Sequence, residues 1–149
     1  METNIEKKIG DRILGAWELV SWVFEDQNGG IVNYFGDNPK GMLMFMDSGY
    51  MSVQVSKGER GTFEKPGIDQ GTLEERGKAF ESYIAYYGRF EEIRPGELSH
   101  EVEGSLFPNW VNGKEVRFAS LQGSILTLST NLISTEAGGI IFKISWRKL

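Results

Sequence analysis

Among 149 residues there is no cysteine, and His100 is the single histidine. A disulfide framework, a thiolate nucleophile and a cysteine metal site are therefore excluded. A zinc site would be short of nitrogen ligands. No stretch reaches the ~20 apolar residues that span a bilayer, and METNIEKKIGDRILGAW lacks an apolar core of signal-peptide length, which makes the cytoplasm the default location. Basic runs are missing as well. The 16 Lys and Arg are outnumbered by 21 Asp and Glu, for a net charge of −5, and Lys7-Lys8 is an isolated pair. That balance provides no basic face for a nucleic acid. Gly-rich phosphate loops, GxSxG, HExxH and EF-hand spacings are all absent, so neither a cofactor nor a metal is implied. The carboxylates are scattered over loops and one helix, which offers no paired-acid site for glycoside chemistry.

What is present is ordinary globular composition, 40% hydrophobic and 25% charged, at a length that suits one domain, here taken as 1–149. Short β-rich runs alternate with turn signals. Gly15–Asp26 ends at Gln27-Asn28-Gly29-Gly30, and Ile31–Phe35 is expected to pair back onto it. Gly36-Asp37-Asn38-Pro39 breaks the strand. Gly41–Met46 and Tyr50–Val55 form a second hairpin around Asp47-Ser48-Gly49. Ser56–Gly71 is charged and carries four glycines, so it reads as a surface loop.

Thr72 and Glu75 make a capping box, and Leu73, Phe80, Ile84 and Tyr87 recur at helical spacing, predicting a helix over 73–85. Strand signals resume at Tyr86–Ile93, turn at Arg94-Pro95-Gly96, and continue at Glu97–Glu103. After a Pro108 corner come Lys114–Leu121, Ser124–Thr130 and Ile140–Arg147. A short amphipathic N-terminal helix through Ile5, Ile9 and Ile13 is also expected. About nine strand signals with one internal helix point to an all-β fold. An up-and-down antiparallel barrel of eight or nine strands fits best, because closure removes exposed strand edges. A barrel of that size can hold one small ligand.

Particular stretches carry a family resemblance. Gly15-Ala16-Trp17 resembles the Gly-x-Trp signature of lipocalins. GMLMFMDSGYMSVQ (41–54), YYGRFE (86–91), HEVEGSLFPNWVNG (100–113) and GSILTLS (123–129) are similar to the bacterial and fungal lipocalin-like domain proteins. The resemblance implies a β-barrel with a central pocket and little about activity. It also implies that Arg147 packs across Trp17, a contact whose cation–π attraction is worth about 0.5–2 kcal/mol. Both residues are read as structural.

Strand alternation selects the candidate ligand-binding residues. Leu98, His100 and Val102 share one face while Glu101 and Glu103 point the other way, so His100 and the glutamates do not form one cluster. Three readings of His100 stay open: a core histidine bonded to a tyrosine or the backbone, a pocket histidine that binds a ligand or moves a proton, and an axial haem ligand. Arg117 shares a face with Ala119 and Leu121; if inward, it needs a buried carboxylate or an anionic ligand. Arg89 is a second cationic candidate, with Glu91 as an alternative partner. Tyr50, Tyr83, Tyr86 and Tyr87 carry apolar bodies with hydroxyl tips suited to pockets, and two of the four are expected to reach a cavity. Gly88 is expected to leave room in the lumen. Met42, Met44 and Met46 alternate along one strand as a core or outer stripe, and Asn109 and Trp110 sit at the Pro108 corner over a barrel mouth.

The leading functional expectation is a small-molecule-binding barrel for an apolar or aromatic ligand. Its sites would be His100, Arg117, Arg89, Tyr50, Tyr86, Asn109 and Trp110. The alternative is an isomerase, cyclase or dehydratase acting on a biosynthetic intermediate with His100 as general acid/base. Haem binding through His100 ranks lower, and a homodimer through an exposed barrel face is a fourth role.

Overall fold

The computed structural model describes residues 8–149. Among these residues eleven strands and two helices follow one another: α1 (Ile9–Arg12), β1 (Gly15–Glu25), β2 (Ile31–Asn33), β3 (Lys40–Phe45), β4 (Tyr50–Ser56), α2 (Leu73–Glu81), β5 (Tyr83–Arg94), β6 (Glu97–Ser105), β7 (Lys114–Gln122), β8 (Ile125–Thr130), β9 (Ile133–Thr135), β10 (Gly138–Ile140) and β11 (Phe142–Lys148). A single turn of 3-10 helix, Pro108–Trp110, sits between β6 and β7.

Eight strands close an antiparallel meander: β1, β3, β4, β5, β6, β7, β8 and β11, with β11 returning to β1. The expected up-and-down barrel is therefore the fold. Its length is uneven around the circumference because β1 pairs along one edge with β3 and, further on, with β2. A register shift between Leu19 and Ser21 bends β1 and changes its phase. That bulge lets Trp17 and Trp22, five residues apart, both face inward, which strict alternation would forbid.

Hydrophobic packing divides the barrel into a solid half and an open half. At the closed end Ile13, Trp17, Leu43, Phe45, Leu98, Leu126 and Trp146 are buried together. α1 lies over this end. Its Gly10 amide donates to Glu92 Oε1 at 2.8 Å, while Glu92 Oε2 accepts from Gly96 N at 2.9 Å. Of the expected N-terminal helix, Ile9 and Ile13 bracket α1, and Ile5 lies outside the described residues.

The Trp17 contact differs from the expectation. Lys148 Nζ sits 4.8 Å from the centre of the Trp17 ring and bonds the Leu14 carbonyl, whereas Arg147 faces solvent, 3.5 Å from Glu18. The pleat explains the exchange. Phe142, Ile144 and Trp146 face inward, so Lys148 continues that face and Arg147 cannot. Trp17 Nε1 is satisfied by Ile13 O at 2.8 Å.

The capping box on α2 is present: Glu75 N donates to Thr72 Oγ1 at 3.1 Å, and Thr72 N to Glu75 Oε1 at 2.9 Å. Those backbone bonds, first from Thr72 and then from Glu64, lower the Glu75 carboxyl below its usual range. The helix ends at Glu81 rather than near residue 85, because Tyr83, Ile84 and Ala85 pair with β4 instead. No residue of α2 is buried, and Leu73 is almost fully exposed. Capping, and the Arg60 bond to the Ala79 carbonyl at 3.0 Å, hold α2 more than an apolar stripe does. The β9–β10 hairpin was not expected, because its strands are three residues each and Gly138-Gly139 in β10 reads as a break.

Candidate functional site

Inside the open half lie two adjoining chambers that share wall residues. The deep one has a volume of about 40 Å³, and His100, Arg117, Tyr86 and Thr130 are its polar lining among apolar and indole walls. The outer one, about 320 Å³, sits at the mouth between α2, the Pro108 corner and the β9–β10 hairpin. Trp22, Ile84, Trp110, Ile133 and Phe142 line both, so they form the shared waist. Aromatic rings dominate there: Trp22 meets Tyr34 at 4.9 Å and Phe142 at 5.5 Å, and Trp110 meets Phe107 edge-on at 5.4 Å.

The inward face of β6 places His100 at the deep chamber, 1% exposed. Its Nδ1 lies 2.8 Å from the Tyr86 hydroxyl, and its Nε2 has no partner. Burial, and then the nearby Arg117 charge, push the imidazole down to about 3, so it is neutral at physiological pH. The Tyr86 hydroxyl is pushed up, chiefly by burial, with Arg117 opposing. Glu101 and Glu103 point outward as alternation requires, toward Lys114 at 3.5 Å and Arg89 at 3.8 Å.

Arg117 faces inward with Ala119 and Leu121, which fixes the face of β7. Its Nη1 donates to Val116 O at 2.9 Å and lies 3.6 Å from Glu115 Oε2, two residues away on the same face. A buried guanidinium needs such a partner, and Glu115 supplies it.

Other candidates are elsewhere. Arg89 and Tyr50 occupy the outer barrel surface, where the guanidinium stacks 4.8 Å above the Tyr50 ring and bonds its hydroxyl at 3.0 Å. Met51, Val53 and Val55 take the inward positions of β4, so Tyr50 must point out. Asn109 is exposed and lines neither chamber, whereas its neighbour Trp110 lines both. Tyr83 and Tyr86 reach the cavity and Tyr87 does not. Met42, Met44 and Met46 form an outer stripe.

Gly88 is required for a different reason from lumen space. A Cβ there would fall within the van der Waals radius of the Glu101 carbonyl oxygen, where β6 bulges toward β5. Opposite Gly104, the Tyr87 ring covers the bare backbone from outside.

Trp22, Trp146, Thr130, Ile133 and Phe142 also line the deep chamber and were not singled out from sequence. Trp146 could have been found by its parity with Phe142 and Ile144. Trp22 could not, since the β1 bulge reverses its apparent face.

A family model described as "Lipocalin-like domain" matches residues 14–149. A curated relative from Aspergillus oryzae, the 4'-hydroxy-3'-methoxypropiophenone carrier protein ppsC, is 35% identical over 108 residues, covering 66% of this chain and 96% of that protein. Barrel, closed end and matched residues agree, and the chain belongs to the lipocalin-like domain family.

Proposed function

We propose that this protein is a carrier that holds one small aromatic, oxygen-substituted molecule, with its ring in the outer chamber. The observation that carries the reading is the aromatic-walled space of about 320 Å³ adjoining a small chamber whose polar lining is His100, Arg117, Tyr86 and Thr130. Ligand pockets of roughly 300–1,000 Å³ with a few placed polar groups are the common pattern for small-molecule sites. The name of the Aspergillus oryzae relative adds a chemical class, a methoxylated phenolic ketone, whose single ring suits that volume.

Proton-transfer catalysis by His100 is the weaker reading. A base at about 3 has little driving force to take a proton near neutrality. Haem ligation is weaker still, because the space of about 40 Å³ beside His100 cannot admit a macrocycle.

Trp22 and Trp110 in the chamber wall supply the signal for a test. Titration with 4'-hydroxy-3'-methoxypropiophenone should quench intrinsic fluorescence saturably, with matching heat in calorimetry. Trp110→Ala should weaken binding about 5- to 100-fold, the range for losing an aromatic anchor. Absence of saturable binding at millimolar ligand would refute the carrier reading for this class.

A further inference from the structure

The polar inventory of the deep chamber is one-sided. Three buried side-chain nitrogens without a partner belong to residues that line it: Trp22 Nε1, Trp146 Nε1 and His100 Nε2. An indole nitrogen can only donate, and so can a guanidinium. Arg117 therefore adds donors and no acceptor. The Thr130 oxygen already accepts from Phe142 N at 2.9 Å, and its hydroxyl has one hydrogen and one further lone pair to offer.

His100 completes the pattern through its tautomer. Its Nδ1 shares one hydrogen with the Tyr86 hydroxyl at 2.8 Å. Where that hydrogen is the phenol's, Nδ1 accepts it and the imidazole hydrogen sits on Nε2. On that assignment the unpartnered nitrogens of Trp22, Trp146 and His100 are all donors. A structure that buries donors without acceptors leaves them to be met by something that is bound.

We infer that the deep chamber, lined by Trp22, Trp146, His100 and Arg117, is a donor-rich subsite that selects a ligand by an acceptor-only oxygen, a carbonyl or an ether. This rests on the carrier reading and sharpens it. The deep space of about 40 Å³ takes one such substituent, while the ring stays in the outer chamber. A hydroxyl at the buried end would bring a hydrogen into a chamber with few lone pairs to accept it. Specificity in such a site comes from the cost of leaving the donors unpaired when the oxygen is missing.

The test compares 4'-hydroxy-3'-methoxypropiophenone with three deletions of it: carbonyl reduced to methylene, methoxy group removed, and phenol hydroxyl removed. Calorimetry gives each dissociation constant. A ¹H–¹⁵N spectrum follows the indole resonances, with Trp17 as an internal control because its Nε1 is already bonded to Ile13 O. The expected result is at least about a tenfold loss for the carbonyl or methoxy deletion, about one hydrogen bond to a buried donor. The phenol deletion should bind within about threefold of the parent. The Trp22 or Trp146 indole proton should move downfield on saturation while Trp17 stays still. Equal affinities for all four probes with unmoved indoles would overturn the donor subsite and leave the carrier reading intact, and so would a loss confined to the phenol deletion. Failure of every probe to bind would overturn both.

Discussion

Because His100 is the single histidine, its titration can be read without assignment ambiguity. The imidazole is held neutral to about 3 by burial and then by the Arg117 charge, while an unfolded chain takes the proton near 6.5. Between those values the unfolded state binds one more proton than the native state. Stability is therefore fully present above about pH 6.5, falls as the pH drops, and loses no more from this group below about pH 3. Linkage gives a loss of about 2 kcal/mol at pH 5 and about 3 kcal/mol at pH 4, a slope of about 1.4 kcal/mol per pH unit. Carboxylates also titrate in that window, so the comparison must isolate the histidine.

His100→Gln does so, because an amide can still bond the Tyr86 hydroxyl and does not ionise. Urea unfolding of both proteins at pH 7, 6, 5 and 4 should give curves that converge toward acid, the wild type losing its advantage at the slope above. In parallel, the wild-type imidazole Cε1 proton should show no midpoint in the native protein down to about pH 4. A native midpoint near 6.5, or unfolding curves that stay parallel, would refute the account of a desolvated neutral imidazole.

Arg117→Met should destabilise by about 3 kcal/mol in urea, since it strips a buried pair of one partner. The same variant should raise the His100 midpoint without restoring its ordinary value, because burial is the larger cause. Gly88→Ala should cost about 3 kcal/mol or prevent folding, judged by circular dichroism and urea midpoint, as β6 has no room to retreat. Lys148→Met should cost about 1 kcal/mol and Arg147→Met less than about 0.5 kcal/mol, the reverse of what the family resemblance implies.

Features carried by local chemistry were legible in the chain. The Thr72–Glu75 box, the Asn-Gly and Ser-Gly turns and the inward parity of His100 depend on neighbours within a few residues. Features decided by a single residue of register were not. Arg147 and Lys148 exchange roles across one pleat, and the bulge at Val20 reverses the face of Trp22. The chamber was the least legible part, since its waist joins Trp22, Ile84, Trp110, Ile133 and Phe142 from distant segments. Tyr50 and Arg89 are pocket-like residue types whose strands turn them outward, which composition cannot reveal.

The seam between β1 and β11 has a consequence for biosynthesis. Trp17 pairs with Lys148 and Phe24 with Phe142, so this seam joins residues about as far apart in sequence as the barrel allows. On the ribosome, the ladders from β1 through β8 can form as each strand emerges, whereas both ladders of β11, to β8 and to β1, must wait for it. The outer edge of β1 waits, unpaired and rich in tryptophan, until β11 has cleared the exit tunnel. An edge left open that long is a template for pairing with another nascent chain. Premature stops inside β11 should therefore produce aggregates rather than weakened barrels, and holdase chaperones should matter most during synthesis of β11.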